Sequence, residues 1–345
     1  MKLLIDALLP ELKTSFTAKG IQGFRATQVY QCMMAGVESF TEMQTLSKQL
    51  RVDFAEQYTI GLPKVHSVAV SSIDGTRKYV LELFDGNLIE CVLMRYKHGI
   101  SACISSQVGC RMGCQFCAST GIAFDRNLSG GEMLGQLIVM QKDVGERIGS
   151  VVVMGIGEAL DNYDNFMRFL KLVNAPDGLN IGYRHITVST CGLVGKILML
   201  AEEGLPINLS ISLHASDDET RCQIMPVNQS YTIDKLMHGC KIYIEKTKRR
   251  VMIEYALMKG LNDSVEAALK LAKLLKGMMC LVNVIPINEV TGTGFQRTSK
   301  SDMTAFVRTL ENAGIEVTVR RELGSDISAA CGQLRKDKKQ IGDME

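Results

Sequence analysis

The chain has 345 residues, a net charge of +2 and 46% apolar residues, which is enough for one large globular domain with an appendage. No uninterrupted apolar run reaches the ~18 residues of a membrane span, so none is expected. The opening Met1-Lys2-Leu3-Leu4-Ile5 is broken by Asp6, and Glu11 and Lys13 follow without a small-residue cleavage site; no export signal is expected, and a cytoplasmic location is.

Residues 1–60 read as a small helical domain. Leu3, Leu4, Leu8, Leu9 and Leu12 fit one helical stripe. A second helix follows the loop at Gly20–Gly23 and runs through Val29 and Tyr30. Phe40 to Leu50 suggests a third, with Ser39 and Glu42 spaced as a capping box. Arg25 near a helix start suits either a phosphate contact or plain structure. Residues 61–97 change period. His66–Ser72, Arg77–Leu83 and Asn87–Met94 are strand-like, and Asp74-Gly75 and Asp85-Gly86 between them are hairpin signals. They predict an antiparallel β extension.

From 98 to 345 strands and helices alternate. The predicted strands are Ala102–Ser106, Ser150–Met154, His185–Ser189, Ile207–Leu213, Val251–Leu257 and Leu281–Ile285. Helical patterns lie near 130–144, 164–174, 193–203, 232–246 and 264–276, with a further helix at 301–313 and a strand at Glu316–Arg320. The fold class is therefore α/β: a curved, partly open (β/α)6 barrel with a small helical N-terminal domain and an antiparallel β extension.

Eleven cysteines in a chain without an export signal point to metal or catalytic chemistry for some of them. Cys110, Cys114 and Cys117 stand in a C-x3-C-x2-C spacing directly after the first barrel strand. Three thiolates in one loop suit an iron–sulfur cluster with one iron left open, and Phe116 would shield one face of it. A structural zinc site, which wants four ligands, and a disulfide with a spare thiol are the alternatives. Ligands in parallel α/β folds collect at the carboxyl ends of the strands. Gly155-Ile156-Gly157-Glu158, Ser189-Thr190-Cys191-Gly192, Ser212-Leu213-His214 and Asn288 all follow strands there. A shared ligand site accounts for them together, although each alone could be a turn or a satisfied core residue; the cysteine spacing with Phe116 resembles the radical S-adenosylmethionine (SAM) superfamily, which implies that the ligand is SAM. Basic residues cluster at Lys241, Lys246, Lys248, Arg249, Arg250 and Lys259 and in the tail at Arg335, Lys336, Lys338 and Lys339. Both clusters suit phosphate contacts or merely solvated surface.

These motifs, with Cys103-Ile104-Ser105-Ser106-Gln107-Val108-Gly109-Cys110, Met225-Pro226-Val227-Asn228, Asn283-Val284-Ile285-Pro286-Ile287-Asn288 and Ala329-Ala330-Cys331-Gly332-Gln333-Leu334, make the chain resemble the radical SAM adenine methyltransferases of the RlmN and Cfr type over nearly its whole length. The resemblance implies that Cys110, Cys114 and Cys117 hold a [4Fe-4S] cluster. It implies that Gly157, Glu158, Ser189, Ser212, Leu213, His214 and Asn288 contact SAM. Cys331 would carry the methyl group as S-methylcysteine, Cys103 would release the product through a transient disulfide with Cys331, and Glu90 matches the family's proton acceptor. Two SAM molecules would be used per turnover. One methylates Cys331; the other yields a 5′-deoxyadenosyl radical that activates the S-methyl group for addition to adenine, giving a transient protein–RNA crosslink. The implied partners are 23S rRNA, tRNA and an electron donor such as flavodoxin or ferredoxin, with no membrane and a monomeric protein.

Ala159 stands where the RlmN branch usually has proline and the Cfr branch alanine. Cys117-Ala118-Ser119-Thr120 and Ile253-Glu254-Tyr255 favour RlmN. The expected reaction is thus methylation at adenine C2. The alternatives are C8 methylation of the Cfr type, which gives antibiotic resistance, a radical SAM enzyme of another class, and a metal-stabilised RNA-binding module.

Overall fold

The computed structural model describes residues 2–121, 123–288, 293–329 and 332–334. Cys331 and the basic tail at 335–339 lie outside the described residues.

The N-terminal unit is helical but is divided differently from the leucine stripe. Strand β1 (Lys2–Leu3) pairs in parallel with β2 (Tyr58–Thr59), Leu4–Asp6 is a 3-10 turn, and helix α1 (Leu9–Ala18) begins only at Leu9. Pro10 explains the break. It has no N–H to donate and is tolerated only in a helix's first turn. Helix α2 (Gly23–Met34) agrees with the pattern. The expected helix over 40–50 does not form. Ser39 caps only the short turn Phe40–Glu42, and α3 (Lys48–Gln57) starts afresh with the Ser47 side chain accepting from Leu50 N–H. Thr41, Thr45 and Ser47 compete with helical hydrogen bonding and favour such caps and turns. The unit has its own apolar core, including Phe16, Tyr30, Phe40, Phe54 and Tyr58. It is fastened to the rest of the chain by Asp6 and Glu11. Asp6 Oδ1 accepts from Gly131 N–H at 2.6 Å, and Arg168 pairs with Glu11.

Among the described residues one sheet of ten strands spans the remainder. Its antiparallel part is β3 (Lys64–Val70), β4 (Arg77–Glu82), β5 (Leu88–Tyr96) and β6 (Gly99–Cys103). The short strands β7 (Gln107–Val108) and β8 (Arg126–Asn127) form a separate ribbon. The parallel part runs from β6 through β9 (Ile148–Val153), β10 (Ile186–Thr190), β11 (Asn208–Ser212), β12 (Val251–Leu257), β13 (Cys280–Pro286) and β14 (Val317–Val319). Strand β6 belongs to both parts, so the β extension is continuous with the barrel wall. Six parallel strands from β6 to β13 make up the expected (β/α)6 arrangement, and β14 extends it.

Helices α4 (Gly130–Val144), α5 (Tyr163–Asn174), α6 (Val194–Glu202), α7 (Asp218–Ile224), α8 (Ile233–Thr247), α9 (Val265–Leu275) and α10 (Lys300–Asn312) fill the connections. Ser129 and Glu132 form a capping box on α4; Ser264 and Ser299 cap α9 and α10. Strand alternation sets the two faces of the barrel wall. On β12, Val251, Ile253, Tyr255 and Leu257 enter the main apolar core beneath the helices. Met252, Glu254 and Ala256 face the other way, into the barrel.

Candidate active site

The ribbon of β7 and β8 closes the neck of the cysteine loop. Gly109 has φ +76°, and a Cβ there would overlap the carbonyl of Ala123, so this position needs glycine. Inside the loop, Thr120 Oγ1 donates to Cys114 O at 2.7 Å and Arg111 Nε to Asp161 Oδ2 at 2.8 Å. Cys110, Cys114 and Cys117 all line one cavity at the carboxyl ends of the parallel strands. Burial pushes the Cys110 thiol up to about 11, with Cys117 adding to the shift. Cys114 is raised further by burial, then by Cys117 and Cys110. The three thiols therefore sense one another. Among the described residues no three such groups converge as ligands of a single ion, and a cubane does not ask for that, because each thiolate takes a separate iron. Phe116 lines the same cavity and meets the His214 ring edge-on, centroids 4.9 Å apart.

Of the other expected residues, Gly157, Glu158, Ser189, Ser212, His214, Asn288 and Cys103 line this cavity too. Gly157 has φ +103°, and a Cβ there would lie 2.5 Å from Gln107 Cβ. The Glu158 carboxylate accepts from Cys191 N–H at 2.7 Å and Leu160 N–H at 3.1 Å. Burial raises its pKa, and these bonds pull it back. The Ser189 and Ser212 hydroxyls are 3.2 Å apart. His214 takes the left-handed region at φ +56°, a strained state for a non-glycine residue. It is held there by Ala256 N–H, which donates to Nδ1 at 3.0 Å, and by Asn262 Nδ2, which donates to its carbonyl at 2.7 Å.

Two residues are placed otherwise. The Leu213 side chain belongs to the main core, so only its backbone adjoins the site. Glu90 is buried on β5, two residues before the lining residue Val92, but does not itself line the cavity. Its carboxylate lies 3.6 Å from Lys78 Nζ.

Cys103 packs with Val92, Met94, Ile156, Leu323, Ala329 and Leu334. The last three belong to the C-terminal segment on either side of Cys331. That segment is fastened on two sides. Gly324 N–H donates to Asp74 Oδ2 at 2.9 Å and Ser72 N–H to Asp326 Oδ2 at 3.0 Å. Ala118 N–H donates to Gly332 O at 2.8 Å, and Ser119 Oγ to Leu334 O at 2.9 Å. The turn between β3 and β4 and the end of the cysteine loop thus hold it together.

Sequence reasoning missed three supporting residues. Gln107, fully buried, accepts from Glu158 N–H at 2.9 Å and donates to Asp161 at 2.9 Å, fixing the glycine turn. Arg221, also fully buried, donates to the carbonyls of Cys191, Ser212 and Leu213 at 2.7, 3.2 and 3.1 Å. Glu254 lines the cavity from β12. A charged residue inside an otherwise apolar strand was the available signal for Glu254, because such residues are rarely buried without a purpose.

The expected basic patch is not brought to the site as a whole: only Lys259 follows β12, at the end where the cavity lies. Lys248, Arg249 and Arg250 immediately precede β12, at the opposite end of the barrel from the cavity. Arg249 is bound to Ile207 O and Asn208 Oδ1 at 3.0 and 2.7 Å, and Arg250 to Glu316.

A family model for the radical SAM superfamily matches residues 104–272, and one for the ribosomal RNA large subunit methyltransferase N-terminal domain matches residues 3–60. A curated relative from Clostridium botulinum (strain Eklund 17B / Type B), named "Probable dual-specificity RNA methyltransferase RlmN", is 52% identical over 336 residues, 97% of each chain. The chain belongs to the RlmN family. The like-named relative from Alkaliphilus oremlandii (strain OhILAs) is 53% identical over 333 residues, 96% of this chain and 97% of its own. The crystal structure of a radical SAM methyltransferase from Sphaerobacter thermophilus superposes with a TM-score of 0.93 at 38% identity, covering 97% of this chain and 99% of that one.

RlmN membership makes this chain a radical SAM methyltransferase, a class that uses a [4Fe-4S] cluster and SAM. The residues present fit both groups. Three thiols share one wall with apolar Met112, Phe116 and Met225, while glycines, serines and buried carboxylates supply the rest. Ala159 does not move the chain out of RlmN; it is buried in the turn after Glu158.

Proposed function

We propose that this protein is a dual-specificity RNA methyltransferase that methylates adenine C2 in 23S rRNA and in tRNA. The carrying observation is that Cys110, Cys114, Cys117, Gly157, Glu158, Ser189, Ser212, His214 and Asn288 line one cavity at the strand ends. When bound, the cluster and SAM supply both a methyl group and the radical chemistry that an unreactive C–H carbon of adenine requires.

The chain's own residues take the remaining roles. Cys110, Cys114 and Cys117 ligate the cluster. Glu158 accepts from the SAM ammonium, Gly157 admits the ligand close to the backbone, and Ser189, Ser212, His214, Asn288 and the backbone of Leu213 complete the contacts. Cys331 carries the methyl group on sulfur, which requires its thiolate form. Cys103, packed against the segment that flanks Cys331, resolves the crosslink by thiol chemistry. Glu90 acts as proton acceptor, which requires movement of β5 or of the substrate, since it stands back from the cavity wall. Two SAM molecules serve each turnover, with flavodoxin or ferredoxin as electron donor. Residues 1–60 form an RNA-contacting domain, 61–97 a β extension and 98–345 the catalytic domain of a monomeric, cytoplasmic enzyme. Among the described residues no helix is long and apolar enough to cross a membrane.

Nucleoside mass spectrometry tests this reading. The gene is expressed in a host lacking such an enzyme, and 23S rRNA and tRNA are digested. 2-Methyladenosine that disappears with Cys331→Ala is expected. 8-Methyladenosine would overturn the regiochemistry, and no methyladenosine despite SAM cleavage would overturn the substrate.

A further inference from the structure

The candidate cavity follows the inner wall of the barrel to the gap between its two borders. Val92, Met94 and Tyr96 on β5 line it from one side, and Arg320 to Leu323, just beyond the edge strand β14, from the other. Arg321 is the one exposed residue among the described residues that line it, so the cavity meets solvent here. Tyr96 is half-buried at this mouth and packs against the apolar cluster of Val92, Leu323, Ala329 and Leu334 that Cys103 also joins. The exposed His98 stacks on Tyr96, with ring centroids 5.1 Å apart and planes inclined by 16°.

The fold does not account for these side chains. Strands β5 and β6 are joined through Lys97-His98, with Tyr96 opposite Gly99. Two-residue turns favour glycine, asparagine and aspartate, so turn geometry does not call for an imidazole at the tip. Among the described residues the side chains of Lys97, His98 and Arg321 make no hydrogen bond or ion pair. The acid next to Arg321, Glu322, is already held by both terminal nitrogens of Arg297, at 2.6 and 2.9 Å. Burial raises the Tyr96 pKa, and the charges of Arg320, Cys103 and Arg321 act on it as well; the two arginines and the Cys103 thiol therefore stand around one hydroxyl. An exposed ring column beside an unanswered guanidinium, at the mouth of a chamber, is how proteins hold single-stranded nucleic acid. Aromatic faces take the bases, and cations take the phosphates.

A target adenine that reaches Cys103 through this mouth leaves the adjoining nucleotide at the rim. We propose that the stacked rings of Tyr96 and His98 form a positioning platform for the nucleotide next to the target adenine, with the outer face of His98 taking its base and Arg321 its phosphate. This rests on the reading of the protein as an RNA methyltransferase and assigns the contact at the entrance of its site. Stacking and a phosphate contact read no sequence, which suits an enzyme that accepts two kinds of RNA.

The test is a binding cycle on the full-length, cluster-loaded protein. The probes are a tRNA transcript and a 23S rRNA fragment, each containing the adenine that mass spectrometry shows to be methylated. Each RNA is made intact and with an abasic nucleotide on the 5′ or the 3′ side of that adenine. Wild type should lose about 5- to 100-fold in affinity for one of the two abasic forms, the worth of one stacked base. His98→Ala should weaken the intact RNA by a similar factor and bind that abasic form and the intact RNA almost equally. His98→Phe should keep the preference for the intact RNA. Arg321→Ala should flatten the salt dependence of binding by nearly one unit. Iron content and SAM affinity of His98→Ala should match wild type, which a general loss of structure would not allow. Abasic and His98→Ala penalties that add in full would overturn the platform, and an unchanged salt slope in Arg321→Ala would overturn the phosphate contact; both would leave the RNA reading standing. Failure of wild type to bind or methylate either RNA would overturn that reading and the assignment with it.

Discussion

Arg221 donates to the carbonyl oxygen of Cys191 across 2.7 Å, and the same guanidinium reaches the carbonyls of Ser212 and Leu213. One buried cation thereby fixes the exits of β10 and β11 relative to each other. It also holds Asn228 Oδ1 at 2.8 Å. Arg221→Ala should therefore lower unfolding stability by roughly 3–5 kcal/mol, since several buried acceptors lose their donor at once. SAM binding should fall with it. Denaturant unfolding measures the first effect; a loss below about 1 kcal/mol would show that water replaces the guanidinium.

Replacing Cys110, Cys114 or Cys117 singly by alanine should reduce bound iron and sulfide to near background. Far-ultraviolet circular dichroism should stay unchanged, because none of the three belongs to a helix or strand. Full iron content in any one variant would remove that residue from the ligand set.

Gly157→Ala places a Cβ 2.5 Å from Gln107 Cβ at a φ of +103°. The strain costs about 1–3 kcal/mol and displaces the turn that carries Glu158. We expect measurable SAM affinity to be lost while the barrel still folds. Calorimetric titration decides it, and wild-type affinity would mean that the turn is not against the ligand.

Burial takes the His214 pKa from 6.5 down to about 3, and Arg221 contributes in the same direction. The folded state therefore keeps a neutral imidazole while the unfolded chain takes up a proton below about 6.5. This contribution to stability is complete above that pH and is lost as pH falls toward 3. Between pH 7 and pH 5 it amounts to about 2 kcal/mol. His214→Asn should unfold with a correspondingly shallower pH dependence than wild type over that interval. Identical slopes would show that His214 titrates normally in the fold.

Charge reversal at Lys248 and Arg250 should leave the salt dependence of RNA binding unaltered, because these residues sit at the end of the barrel remote from the cavity. Removing a cation that neutralises one phosphate would flatten the slope by nearly one unit. A flatter slope would mean that RNA wraps the barrel to its far end.

Much of the fold was legible because strand and helix periods are strong where the wall is apolar on one face. Val251–Leu257 was read with the bounds it has, since its outward Val251, Ile253, Tyr255 and Leu257 are flanked by basic residues and by Lys259-Gly260. The leucine stripe at the N-terminus misled, because five leucines outweighed one proline although Pro10 decides where α1 begins. At Phe40–Leu50 two capping serines compete, and the second starts the helix. In the site, residues announced by glycine or cysteine spacing were legible. Gln107 and Arg221 were not, because their importance lies in backbone groups brought to them by distant strands, and no spacing in the chain records that.

The fastening of the C-terminal segment has a consequence for the order in which the protein is made. Ser119 meets Leu334 across 215 positions of chain, and Ser72 meets Asp326 across 254. Folding during synthesis proceeds from the N-terminus, so the helical domain, the β extension and the cysteine loop all emerge well before the segment that packs against them. The cavity wall containing Leu323, Ala329 and Leu334 is laid down long after the cysteine loop it packs against. A nascent chain can thus present its three loop thiols to iron while the chamber around them still stands open, and only the later arrival of the segment at 323–334 closes it.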